Sequence, residues 1–288
     1  MKLIKLASIT KKLCVGAVGA FLLIFLPFHM GMNHCILRED GGEWYRNVCH
    51  FMGTNYVVKV FEVILLACIL LHIVITLILA IENYMARPVR YAVPNKSKTG
   101  VGSKYMAWTG GILLVFLVIH FVDFYFAKTG LVEGKYVVKT EKVEAKFQEK
   151  VQQLQEGKLK EEQAAELQAQ YMAIQTLPQD KVAKDRKYFV NLSKKEVATY
   201  CGKDFEDYEP DFYNMAKDKF KNPLYVLIYL LSFLILAIHL YHGVASIFQT
   251  FGLNVKKYTK AIDCLALIYA IVIPLGFAIV PIIEFFFK

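Results

Sequence analysis

No C-x-x-C pair occurs among the six cysteines, and without one neither a zinc nor an iron–sulfur site has a framework. No phosphate-cradling glycine loop, G-x-S-x-G nucleophile elbow or internal repeat is present either. Nothing therefore points to a nucleotide enzyme, a serine hydrolase or a solenoid. Polar sequence is itself scarce: 56% of the 288 residues are hydrophobic and 14% aromatic, too apolar for one soluble domain.

Five apolar runs take up most of the chain, at about Leu13–Met32, Val57–Ile81, Tyr105–Ala127, Leu224–Phe248 and Ala261–Phe287. A hydrocarbon core of about 30 Å takes roughly 20 apolar helical residues to cross, and each run meets that length. Basic residues precede the first run as in a signal peptide. The run is long and no small-x-small cleavage site follows, so it reads as a span.

One set of connections is nearly devoid of basic excess. Arg38 and Arg46 there are offset by Glu39, Asp40 and Glu43. The other set carries Lys2, Lys5, Lys11 and Lys12, then Arg87, Arg90, Lys96, Lys98 and Lys104, then Lys256, Lys257 and Lys260. Cytoplasmic loops hold the positive charge, so the N-terminus reads as cytoplasmic and the C-terminus as extracytoplasmic. The net charge of +9 follows from this asymmetry and calls for no nucleic acid. Cys14, Cys68 and Cys264 lie in or beside spans as small packing residues. Cys35, Cys49 and Cys201 face the other side, where a Cys35–Cys49 bridge and free thiols are equal readings.

The one long polar segment lies between the third and fourth runs. Val143, Phe147, Val151 and Leu154 recur at helical spacing, as do Leu167, Tyr171, Ile174 and, loosely, Leu177, with Glu156-Gly157 between them. This predicts a helical hairpin. Ser193 and Glu196 of "SKKE" predict a capping box opening a short helix. The expected fold is an all-α membrane protein of five transmembrane helices. Helices 1–3 occupy residues 1–127, a mostly helical extracytoplasmic insert 128–222, and helices 4 and 5 residues 223–288.

Five of the seven histidines fall inside spans: His29, His72, His120, His239 and His242. Ionisable side chains are rare in lipid and mark function, and neutral imidazole is the common protein ligand of haem iron. With about 1.5 Å of rise per residue, His29 and His120 share one level, and His72 shares the other with His239 and His242. That arrangement suits two bis-histidine haems stacked across a helical bundle. Gly16 and Gly19, Gly110 and Gly111, and Gly243 leave room for a macrocycle or for a close helix. Ser232, His239, His242, Ser246 and Gln249 form one polar stripe, which faces the bundle interior rather than lipid.

Four stretches carry a resemblance: "FLLIFLPFHMGMN" (21–33), "VILLACILLHIVITLILAIENYMARPVRY" (63–91), "LLVFLVIHFVDF" (113–124) and "HLYHGVASIFQTFG" (239–252). With them the chain resembles the membrane-anchor cytochrome b of succinate dehydrogenase and fumarate reductase complexes, in its five-helix, two-haem form. The resemblance implies that the first four helices bind two haem b groups. It makes His29 and His120 the ligands of the distal haem, and His72 and His242 those of the proximal haem. The family's ligand on the fourth helix is the histidine followed by glycine, with His239 as the alternative to His242. It also implies electron transfer between a quinone, menaquinone by expectation, and two cytoplasmic partners, an iron–sulfur subunit and a flavoprotein that interconverts succinate and fumarate. The dicarboxylate site would then lie on a partner and not on this chain, in the inner membrane of a bacterium. The long insert is a departure from the short members of that family.

Quinone chemistry needs proton donors and acceptors, and Glu43, His50, Glu62 and Asp123 are the candidates at the outer level. Gly19 and Gly243 would border the macrocycles, and Arg87 and Lys104 would meet haem propionates or lipid headgroups. Two rival readings stand beside this one. The first is the haem subunit of another membrane oxidoreductase, of hydrogenase or formate dehydrogenase type. The second is a haem-free transporter or scaffold, although no broken-helix pair of the transporter kind is found.

Overall fold

The computed structural model describes residues 8–86, 101–158, 160–184 and 186–288, without the side chains of Ser8 and residues 101–104. Lys2, Lys5, Arg87, Arg90, Lys96, Lys98 and the side chain of Lys104 therefore lie outside the described residues. The helices are α1 (Ser8–His34), α2 (Glu43–Thr54), α3 (Tyr56–Met85), α4 (Val101–His120), α5 (Phe126–Lys128), α6 (Thr140–Gln155), α7 (Glu161–Gln175), α8 (Lys194–Cys201), α9 (Phe212–Phe220), α10 (Pro223–Thr250) and α11 (Thr259–Phe286). Strands β1 (Tyr136–Lys139), β2 (Tyr188–Leu192) and β3 (Tyr208–Pro210) interleave with them.

Five helical segments are long and apolar enough to cross a membrane: Ile9–Leu37, Tyr56–Met85, Tyr105–Lys128, Pro223–Thr250 and Thr259–Phe286. The chain is a multi-pass, predominantly helical membrane protein. It divides into two compact units, one of residues 1–37, 51–118 and 222–288, the other of 38–50 and 119–221.

In the first unit, local signals set the helix starts. Asn55 caps α3, its Oδ1 accepting from the amides of Val57 at 2.9 Å and Val58 at 3.2 Å, and Asn222 caps α10 with Pro223 in the first turn. α1 packs against α3, α10 and α11, and α10 against α11. A Cβ on Gly16 would meet Thr250 Cγ2 at 3.1 Å, so Gly16 serves the close approach of α1 and α10, whereas one on Gly19 would be in ordinary contact with Ile247 Cδ1 at 3.5 Å. Phe233 stacks on Phe277 across α10 and α11 at 5.6 Å, and the Tyr269 hydroxyl donates to the Leu23 carbonyl. Lys11 on α1 reaches both carboxylate oxygens of Glu82 on α3 at 2.7 Å and is 2% exposed, an ion pair joining the two helix ends. No described residue of α3 is buried: one face is partly covered and the other presents apolar surface.

The second unit departs from the helical expectation. Its hairpin is present as α6 and α7, with Phe147 stacked on Tyr171 at 5.6 Å, and Ser193 and Glu196 form the capping box in both directions. An antiparallel sheet of order β2-β1-β3 was not anticipated. Its strands have three to five residues, and β1 is buried at Tyr136, Val137 and Val138 alike, so no alternation marks it in sequence. Tyr136 and Val138 pack with Val143, Phe189, Leu192, Val197, Cys201 and Phe205. Burial pushes the Cys201 thiol up to about 12, with Lys146 pulling weakly the other way, so it is a neutral packing group.

Segment 38–50 belongs to this unit. Gly42, at φ +88°, lies so close under the Tyr213 ring that a Cβ would come within 2.6 Å of it. Arg46 lies over the same ring at 5.1 Å and 3.7 Å from Asp211 Oδ1. Asp211 has no exposed surface. It caps α9, taking the Asn214 amide at 3.3 Å, and accepts from the amide of Asn191, a residue at φ +56°, at 2.9 Å. All six cysteines are free thiols, so the Cys35–Cys49 bridge is not formed.

Candidate functional site

In the first unit the rings of His72 (α3) and His239 (α10) lie 6.4 Å apart between centroids, inclined by 69°. Thr109 of α4 is buried beside them. Its hydroxyl donates to the Met106 carbonyl at 3.1 Å, one turn back, and lies 3.3 Å from His239 Nδ1. With its proton directed to Met106, that oxygen is placed to accept from Nδ1–H, which would leave the lone pair of His239 on Nε2. His72 Nδ1 is buried without a hydrogen-bond partner among the described residues. The backbone carbonyl of His72 accepts from the Thr76 hydroxyl at 2.6 Å.

Among the described residues no three His, Cys, Asp or Glu side chains converge as a metal cluster would need. An axial haem pair needs only two, because the macrocycle supplies the other four nitrogens. His72 and His239 are the two imidazoles brought together here that would hold such a group. His242, one turn on, is half-buried. The ring that meets His72 is that of His239, not that of His242. A Cβ on Gly243 would meet nothing within 4 Å, and the same holds for Gly111, whereas one on Gly110 would meet His239 Cε1 at 3.7 Å.

His29 stacks on Phe25 of its own helix at 5.2 Å and tilts against Phe277 of α11 at 5.6 Å. His120 closes α4 and contacts Phe124 at 5.2 Å. These two histidines fall in different units. Ser232 of the polar stripe is buried and returns its hydroxyl to the Ile228 carbonyl at 2.7 Å.

The candidate acids have separate environments. Glu43 pairs with Lys187 at 3.0 Å on the surface, and His50 Nδ1 lies 2.5 Å from Glu209 Oε1. Glu62 is half-buried on α3. Asp123 is buried in a π turn, Phe121–Tyr125, and its Oδ1 lies 2.6 Å from Lys219 Nζ. Sequence reasoning missed Thr109 and Lys219. A threonine beside Gly110-Gly111 reads as helix packing, and Lys219 is one of many lysines in a polar segment. No family model, curated protein or solved structure matches the chain.

Proposed function

We propose that this chain is the di-haem cytochrome b anchor of a succinate:quinone oxidoreductase, passing electrons between a membrane quinone and cytoplasmic iron–sulfur and flavoprotein subunits. The observation that carries the reading is the His72–His239 pair with Thr109 behind it. A neutral imidazole whose second nitrogen is fixed by a hydroxyl is how a protein holds a metal-ligating histidine in tautomer and orientation. We assign His239 rather than His242 as the partner of His72, on the ring spacing. For the second haem the reading rests on sequence depth, which assigns His29 and His120. Bound there, haem supplies reversible one-electron transfer.

The chain's own residues do the rest. α3, α4 and α10 contribute His72, Thr109 and His239 from three different spans, so the site depends on the bundle and not on one helix. Solubilised from its native membrane, the chain should copurify with an iron–sulfur subunit and a flavoprotein, and the preparation should reduce a naphthoquinone with succinate. Recovery without those partners, or without that activity, contradicts the proposal.

A further inference from the structure

The regular hydrogen bonding of α4 breaks directly after His120, where Phe121–Tyr125 widens into a π turn before α5 closes the helix. Such single-turn bulges re-aim side chains and recur at functional sites. Asp123 sits inside this one. Its side chain is 4% exposed, one oxygen is held by Lys219, and Oδ2 is buried with no hydrogen-bond partner among the described residues.

Lys219 comes from the last turn of α9, in the insert, and is 34% exposed. α9 reaches the π turn through Phe212, whose ring lies 6.4 Å from that of Phe124. The neighbouring Asp218 is engaged by Lys135 and Lys221. Lys219 on α9 is the cation that holds the carboxylate, and along the chain His120 lies three residues before Asp123 and Lys128 five after it. A pin whose only task was to hold α9 to the π turn would satisfy both carboxylate oxygens, since a buried oxygen left unpaired is costly. Here one oxygen meets a cation that water can reach, and the other is left for a ligand.

We propose that Asp123 and Lys219 are the proton-transfer pair of the quinone site, and that one task of the insert is to carry Lys219 to the π turn Phe121–Tyr125. This rests on the functional reading above. Succinate oxidised on the flavoprotein supplies two electrons, and the quinone takes them with two protons to become quinol. For each quinol O–H bond formed, the Lys219 ammonium gives a proton to the Asp123 carboxylate, its N–H breaking, and the Asp123 O–H so formed breaks to the quinone oxygen; the Lys219 amine regains its proton from water. Asp123 is the catalytic group, and Lys219 supplies it and positions it.

The test uses the purified full complex with 2,3-dimethyl-1,4-naphthoquinone as acceptor. Dye-linked succinate oxidation and haem content are measured in parallel for Asp123→Asn, Lys219→Met and Lys219→Arg. Asp123→Asn should lower quinone kcat about a hundredfold with KM, dye turnover and haem unchanged. Lys219→Met should lower kcat about tenfold or more, and Lys219→Arg should restore most of it. Wild-type quinone kcat in Asp123→Asn or in Lys219→Met overturns the proposal alone. So does parallel loss of haem and dye turnover in both variants, which marks a structural pin. A wild-type complex with no haem and no succinate–quinone turnover overturns the functional reading and this proposal together.

Discussion

A single hydroxyl bears on which nitrogen of His239 is free. Thr109 Oγ1 directs its proton to Met106 and is placed to accept the one on Nδ1, which would leave the lone pair on Nε2 through one helix turn of α4. Thr109→Val keeps the shape and removes the acceptor. Under the proposed function it should lower haem affinity here about 10- to 100-fold, read as haem lost on dialysis against an apo-globin acceptor, while the second proposed site keeps its haem. Equal retention at both sites would exclude the role. At this scale the histidines themselves were legible, because imidazoles stand out in apolar runs. Depth alone leaves His239 and His242 open, the resemblance points to His242, and the ring spacing from His72 is what favours His239 in the proposed reading.

Among the elements, the insert joins buried polar contacts to its hydrophobic core. Asp211 accepts from the Asn191 amide and from the Asn214 amide and side chain, and the Arg46 guanidinium forms an ion pair with it at 3.7 Å, so three parts of the chain meet there. Asp211→Ala strands a buried cation and uncaps α9, and should cost about 3–5 kcal/mol of local stability. Hydrogen exchange in β2 and α9 should rise to match, and unchanged protection there would refute the joint.

Acid should act on the same unit. Asp204 is held at about 2: burial opposes its charge, but hydrogen bonds from Lys150 and Lys146 outweigh that. Glu196, with Lys181 and Ser193, and Asp218, with Lys135 and Lys221, are lowered against the same opposition. Depressed carboxyls stabilise above their unfolded values and lose that contribution as pH falls toward the folded ones. Acidification from about pH 5 to about pH 2 should therefore loosen the insert before the spans. Amide exchange corrected for intrinsic rates checks this, and equal behaviour of insert and spans would contradict it. The hairpin and the "SKKE" cap were readable here because each is local. The sheet was not, since a fully buried β1 and a three-residue β3 lack the alternation that marks strands.

Across the whole molecule, five spans were visible because lipid demands about 20 apolar residues per crossing, a constraint written directly in composition. Which spans pack was not visible. Helices bathed in lipid are apolar on every face, so the α1–α10 approach at Gly16 and the Lys11–Glu82 pair emerge only in three dimensions. The same holds for segment 38–50, whose place beside Tyr213 and Asp211 depends on residues far away in sequence. The central claim concerns what the interior histidines hold. The most direct measurement is a reduced-minus-oxidised visible spectrum with haem quantitation on the purified chain in its complex, for wild type, His239→Ala and His242→Ala. The account predicts two low-spin b haems per chain in wild type, one in His239→Ala and two in His242→Ala. A wild-type chain without haem would contradict it.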